Sequence, residues 1–463
     1  MCEGGTDGIS RSLQADCISH MHSSVTYLLS AQMARPTAHC NLDPMRYWRA
    51  LPPTPPPSSR YITFELDSGG WNNVRMALES IFIIAHATNR TLVLPPPEDI
   101  LYMSDVHVSH LLEVRGVDTI SMDDFISRES TRLGLRAQEA QSLIGGLQHR
   151  PIHRLENDHP LWRRLRSRGH IPPWGASSPA GPNACLLLGA PSARADSAFC
   201  EGRPPFRPHE PWNQPWLLHL PCTRPPDRLG WYRLFGHFYT FAASPGDERI
   251  NRQLRAMVRD GVRYSSPLMC TAESVVARLK RDCGGSFVSM HARQGDFQKT
   301  RPNEILRAAD IARALANSEG RLRHGGGSGG VHGGAAQPTG AECLFIASDA
   351  PKSFFAPLLG GGAWRVIFLY DIEQARQSVP KALSGLVEQL VAAQGRAFYG
   401  TKLSTFSHYI LRLRGYYNVS HLSWLLVPPD TQSRRPAGVE KLRAGKPVAP
   451  YWLQEWPLAW EFE

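Results

Sequence analysis

Two short segments hold residue types suited to an anionic ligand. Gly69-Gly70-Trp71-Asn72-Asn73-Val74-Arg75 offers two glycines and two carboxamides. Glycines let a backbone turn tightly and approach a ligand with no Cβ in the way. Asn72 and Asn73 can cap a following helix or reach a ligand. His291-Ala292-Arg293-Gln294-Gly295-Asp296-Phe297 offers a guanidinium, whose planar fork grips two phosphate oxygens and keeps its charge. Strand alternation puts His291 and Arg293 on one face, and Asp296 can orient either. The plain alternatives are a capped turn in the first segment and a surface Arg293–Asp296 pair in the second.

A third segment, Gly400-Thr401-Lys402-Leu403-Ser404-Thr405-Phe406-Ser407, is a hydroxyl-rich turn before an apolar helix. Ser404 and Thr405 are natural N-caps, and the same helix start favours a phosphate. Asp349, after an apolar run, can accept from ribose hydroxyls or base N–H groups, or simply cap a helix. Glycines and amides on one side and a guanidinium on the other suit a sugar diphosphate, so the chain reads as a glycosyltransferase with a nucleotide-sugar donor. The sequence has no HExxH or GxxxxGK[ST]. Asp123-Asp124 is not a spaced Asp-x-Asp metal pair, which favours a metal-free mechanism with no cofactor.

These segments need elements to carry them. Tyr61–Leu66 reads as a strand, and Val74, Ala77, Leu78, Ile81, Phe82 and Ala85 recur at helical spacing. Thr91–Leu94 is the next strand. Strand, Gly-turn, helix, strand is a βαβ unit and implies a parallel sheet. The second half repeats the alternation: strands at Ser286–Met290, Cys343–Ala347 and Val366–Tyr370, helices at Asp247–Asp260, Ile305–Ala316 and Leu383–Ala393. Arg293, Asp349 and Asp371 lie at or beyond strand ends, where doubly wound sheets bind ligands. The expected division is a disordered segment and Pro-rich linker at 1–58, a Rossmann-like acceptor-side domain at 59–245 with an irregular insertion at about 171–230, a donor-binding domain at 246–430 with a Gly-rich loop at 324–340, and a tail at 431–463.

With 463 residues, 42% hydrophobic and 20% charged, two globular domains fit. The net charge of +10 favours anionic partners, yet no RNA-recognition or zinc-finger pattern supports nucleic acid. Nine cysteines include no CxxC. Cys200/Cys222 and Cys270/Cys283 are spaced to close loops if the protein is luminal. Asn89-Arg90-Thr91 and Asn418-Val419-Ser420 are sequons. No 18-residue apolar run suggests a transmembrane helix, and no clear signal peptide is visible.

In this order, the Tyr61–Arg75 stretch, His291-x-Arg293-x-Gly295-Asp296-Phe297, Ser348-Asp349 and Ser404-Thr405-Phe406 resemble the GDP-fucose O-fucosyltransferase superfamily. The resemblance covers roughly residues 60–95 and 285–425. It implies a GT-B fold, two Rossmann-like domains facing a central cleft, and a part in fucose metabolism. It implies inverting transfer of fucose from GDP-fucose to a hydroxyl of a protein Ser/Thr or glycan acceptor, without a required metal, in the ER or Golgi lumen. By position, Arg293 holds the diphosphate and His291 and Asp349 contact the nucleotide. Ser404, Thr405 and Phe406 line its pocket, and Asn73 faces the donor. One branch carries a catalytic Glu where this chain has Gly69. Glu65 and Asp67 are substitutes, or the reaction proceeds with little base help. Two other readings stay open: an inactive relative that binds a glycan or protein, and a transferase using another nucleotide sugar.

Overall fold

The structure, a computed structural model, describes residues 40–49, 53–66, 69–100, 103–150, 152, 159–171, 185–186, 205–206, 214–223, 233–234, 248–300, 305–324, 341–360, 362–401, 404–419 and 424–427. Asp67, Cys200, the loop at 325–340 and the tail at 431–463 lie outside them, as does most of the 171–230 insertion.

The first unit begins with β1 (Tyr61–Phe64), buried along its length, as a strand covered on both faces must be. Gly70 leads into α1 (Trp71–Ala87). This helix buries the anticipated stripe and also Met76, Ile83 and Ile84, so it is enclosed rather than amphipathic. Next come β2 (Thr91–Leu94), β3 (Leu112–Val114), β4 (Thr119–Ser121), α2 (Met122–Leu133) and α3 (Pro160–Arg168). Ser121 caps α2 by accepting from the Asp124 N–H at 3.1 Å, so the Asp123-Asp124 pair opens a helix. β5 (Leu217–Leu220) completes an all-parallel sheet in the order β4-β2-β1-β5. Sequence reading placed this strand inside an irregular insertion. Its four residues are too few to show a period.

α4 (Glu248–Gly261) and β6 (Val262–Tyr264) follow, and β6 pairs antiparallel with β3. α5 (Ser266–Asp282) leads to the second unit. That unit comprises β7 (Val288–Ala292), α6 (Ala308–His324), β8 (Glu342–Ser348), β9 (Trp364–Phe368), α7 (Ser384–Ala393), β10 (Ala397–Thr401), α8 (Thr405–Tyr416) and β11 (Trp424–Val427). The sheet order is β9-β8-β7-β10-β11, again all parallel. In each sheet the chain winds outward from an inner strand and then crosses to its other side. The switch points fall between β1 and β5 and between β7 and β10, where an open α/β sheet leaves a crevice at its strand C-termini. Two Rossmann-like sheets are the expected α/β, GT-B-type architecture.

One apolar core joins the sheets, taking in Ile62, Leu78 and Phe82 from the first and Phe345, Leu390 and Tyr409 from the second. A buried polar network crosses the same boundary. The Arg75 guanidinium lies 3.9 Å from the Tyr264 ring centroid and 4.7 Å from that of Tyr409, and its Nε is 3.3 Å from Glu79 Oε1. Glu79 also accepts from the Tyr409 hydroxyl at 2.5 Å and pairs with Arg412. Arg75 of the first motif therefore fixes α1 against α8. Breaking such a buried pair costs about 3–5 kcal/mol.

Two expectations need correction. Residues 40–49 are not disordered: Met45 and Tyr47 are buried in the core. Isolated large side chains anchor this stretch, and they leave no periodic signature. Disulfides join Cys40 to Cys270 and Cys283 to Cys343, with Cα separations of 5.6 and 5.9 Å. A Cys270–Cys283 pair is ruled out because Cys270 lies near the start of α5 and Cys283 caps its end. That stretch of helix rises about 20 Å, far beyond disulfide reach. Both sequon asparagines, Asn89 and Asn418, are exposed, just past the C-terminal ends of α1 and α8.

Candidate functional site

At the second switch point β7 runs on to Ala292, two residues beyond the sequence expectation, and draws His291 into the sheet. His291 Nδ1 lies 2.7 Å from Ser407 Oγ. Ser407 Oγ itself accepts from the Thr401 N–H at 2.9 Å, which leaves its own proton for the imidazole. The His291 ring stacks on Phe406 at 4.4 Å. Burial, reinforced by the nearby Arg293 charge, holds its pKa well below the ordinary histidine value. His291 is therefore a neutral ring that braces Phe406 and Ser407.

Arg293 points elsewhere. Its backbone N–H donates to Thr401 Oγ1 at 3.0 Å, locking the β7 end to the β10 end. Its guanidinium Nε lies 2.8 Å from Asp296 Oδ1 and 3.7 Å from Asp349 Oδ2. Asp349 is held by the Gln294 N–H at 2.7 Å. Gly295 permits this approach, since a Cβ there would meet Asp349 Oδ2 at 2.6 Å. The carboxylates orient the guanidinium without enclosing it: the Arg293 side chain stays 19% exposed and that of Asp349 30%. Asp371 does not join them. It accepts from the Phe368 N–H at 2.9 Å and pairs with Lys352, closing its own turn.

Ser404 is the N-cap residue of α8, yet no side-chain hydrogen bond caps the helix. The expected serine cap is not formed, and the first-turn N–H groups of Thr405 and Phe406 keep their capacity for an anion. Thr405 and Phe406 are partly exposed.

α1 also starts without a side-chain cap, after Gly70. Gly70 has an ordinary φ of −74°, and a Cβ there would meet nothing within 4 Å. Open space, not backbone strain, marks this glycine. Gly69 beside it is buried. Asn72 is not free for a ligand, because its Oδ1 accepts from Gln389 Nε2 at 2.9 Å. The same Nε2 reaches the Phe406 carbonyl at 3.3 Å, so one glutamine joins the first turns of α1 and α8. Asn73 differs: its Oδ1 is buried without a hydrogen-bond partner among the described residues.

Glu65, one candidate base, is engaged. Arg166 binds it through Nε at 2.8 Å and Nη2 at 2.6 Å, and His219 Nε2 lies 3.1 Å away. Burial raises its pKa, but hydrogen bonds from His219 and Arg166 outweigh that and hold it below the ordinary value. A carboxylate so held is a poor general base.

Sequence reasoning missed Gln389, Ser407 and Glu388. All three sit inside helices, where their types look unremarkable. The Glu388 carboxyl is pushed up to about 8, first by loss of hydration and then by the Asp349 charge. Among the described residues no cluster of three or more His, Cys, Asp or Glu could hold a metal. No helix among them is long and apolar enough to cross a membrane.

The site therefore brings together Arg293, Asp296, Asp349 and the uncapped start of α8, with the start of α1 one glutamine away. The family model described as GDP-fucose protein O-fucosyltransferase matches residues 210–417, slightly less than half of the chain. Solved structures resemble it distantly. POFUT1 in complex with GDP is 13% identical, with 82% of this chain and 97% of that one covered and a TM-score of 0.37. NodZ alpha-1,6-fucosyltransferase soaked with GDP-fucose is 11% identical, covering 80% and 95%, with a TM-score of 0.38. NodZ from Bradyrhizobium is 10% identical, covering 77% and 94%, with a TM-score of 0.36. Likenesses this distant leave the chemistry to the chain's own residues. No curated protein sequence matches.

Proposed function

We propose, from the premise that the chain belongs to the GDP-fucose O-fucosyltransferase superfamily, that it transfers fucose from GDP-fucose to an acceptor hydroxyl. The observation that carries this reading is that Arg293, past the end of β7, and the uncapped start of α8, past the end of the neighbouring β10, flank one switch point, with the Arg293 N–H bonded to Thr401 at the β10 end. A diphosphate placed there faces a guanidinium and free backbone N–H groups. As the acceptor oxygen attacks fucose C1 and the bond from C1 to the diphosphate oxygen breaks, negative charge grows on GDP. Fixed donors that meet this charge lower the barrier, and no metal is needed for that role. Asp296 and Asp349 hold the guanidinium in place beforehand. Asn73, in the first turn of α1 with its buried Oδ1 unpartnered among the described residues, is the side chain we assign to the sugar or acceptor. The two disulfides favour an oxidising lumen such as the ER or Golgi. The acceptor is a protein Ser/Thr or a glycan.

A second reading, a relative that binds GDP without transfer, is favoured by the engagement of Glu65 and by Gly69 standing where one branch has its base. GDP-fucose turnover separates the two. Release of fucose, or its transfer to a panel of protein and glycan acceptors, supports the enzyme. GDP binding with no turnover across that panel supports the inactive relative.

A further inference from the structure

Residues 40–49 do more than fill space. Tyr47 is buried, and its hydroxyl accepts from the Tyr264 N–H at 3.1 Å and from Arg75 Nη2 at 3.5 Å. Its ring stacks on Tyr416 at 5.5 Å and meets Tyr417 edge-on at 5.6 Å. One side chain thus touches β6 and α1, which belong with the first sheet, and the end of α8, which belongs with the second. The backbone adds further anchors. The Tyr417 hydroxyl donates to the Met45 carbonyl at 2.9 Å, and the Arg49 N–H donates to Asp260 Oδ1 at 3.0 Å. The Arg263 guanidinium lies 4.7 Å from the Trp48 ring centroid. Just ahead of these contacts, Cys40 is tied to Cys270 on α5.

We propose that residues 40–49 are a thiol-releasable strap that holds α1 against α8, with Cys40–Cys270 as its buckle and Tyr47 as its positioning residue. The network it covers is Arg75–Glu79–Arg412 with Tyr409, the polar link between the two sheets. Cys40 and Cys270 are both half-buried, and in the Cys283–Cys343 disulfide Cys283 is half-buried and Cys343 buried. A small dithiol can therefore reach either sulfur of the buckle. Its thiolate attacks one sulfur, the S–S bond breaks, two electrons pass to the cysteines as two thiols, and the reagent becomes a disulfide. The short segment then keeps only its noncovalent anchors. The strap stands apart from the donor reading, because it concerns how the two sheets are held.

Hydrogen exchange followed by mass spectrometry tests it in the full chain. The samples are wild type, Cys40→Ser, Tyr47→Phe and wild type opened with dithiothreitol, alkylated and checked by intact mass. Peptides covering residues 74–85 and 409–417 should exchange at least about tenfold faster in Cys40→Ser and in the opened protein, and by a smaller factor in Tyr47→Phe. Peptides of β7 and β8 should keep their rates, and Cys283→Ser should leave α1 and α8 protected. Unchanged exchange of α1 and α8 with the buckle verified open would overturn the strap. So would equal acceleration of β7 and β8, which would make the disulfide a general stabiliser.

Discussion

The two sheets share a strand order and treat their switch points in opposite ways. At the first, Thr63, His219, Glu65 and Arg166 form a chain of contacts at 2.6–3.1 Å. The Glu65 side chain is 4% exposed and that of His219 is fully buried. Its polar groups satisfy one another. At the second, Arg293, Asp296 and Asp349 are 19–30% exposed, and a helix start remains uncapped beside them. The same topology thus yields a closed structural cluster in one half and an open charged site in the other. Both clusters carry counter-charges, and what differs is enclosure: α3 brings Arg166 onto a buried Glu65, whereas Arg293, Asp296 and Asp349 stay partly exposed at their strand ends.

Breaking the open site should cost activity and little else. Arg293→Ala should fold normally and lower turnover about 10²- to 10³-fold, as loss of a transition-state donor does, read as steady-state rate beside an unchanged melting curve. Breaking the closed cluster should do the reverse. Glu65→Ala leaves Arg166 and His219 without their carboxylate and should lower stability by about 3 kcal/mol, while the folded fraction keeps its GDP affinity. Denaturant titration and calorimetry check the two halves of that statement. Ser407→Ala removes the contact that braces His291 and the Thr401 N–H, and should cost about 1–3 kcal/mol in denaturant titration.

A pH series sharpens the contrast further. Below about pH 8 the Glu388 carboxyl is protonated and neutral; above it the group ionises beside Asp349. GDP is an anion, so its affinity should fall as pH rises through about 8, by about threefold to fivefold. Glu388→Gln should flatten that dependence. The smallest effect belongs to Gly70→Ala, whose Cβ meets open space at an ordinary φ. Stability should change by less than about 0.5 kcal/mol, so any larger loss of GDP affinity would place the ligand against that residue.

The fold was largely legible where periodicity is long. The α1 stripe, the α4 and α7 helices and the β7, β8 and β9 strands of the second sheet lie close to their expected places, whereas β10 and β11 have no counterpart among the expected strands. What escaped was set by contacts across the chain. β5 is a short apolar run among prolines and tryptophans. Residues 40–49 are anchored by Tyr47 and Met45 through partners hundreds of positions away. Cysteine spacing could not show that Cys270 and Cys283 sit at opposite ends of one helix. At the site, the residue types named the chemistry, but the division of labour needed the structure. Asn72 and Asn73 look alike in sequence, yet Gln389 occupies one and leaves the other with a buried oxygen. His291 and Arg293 share a motif, yet one braces the core and the other faces the crevice.

The most direct test of the open site is calorimetric titration of GDP into the wild-type protein and into folded Arg293→Ala. Saturable binding to the wild type, lost or strongly weakened in the variant, is the result that this site requires. Equal affinity in the two proteins, or no binding to folded wild type, would contradict it.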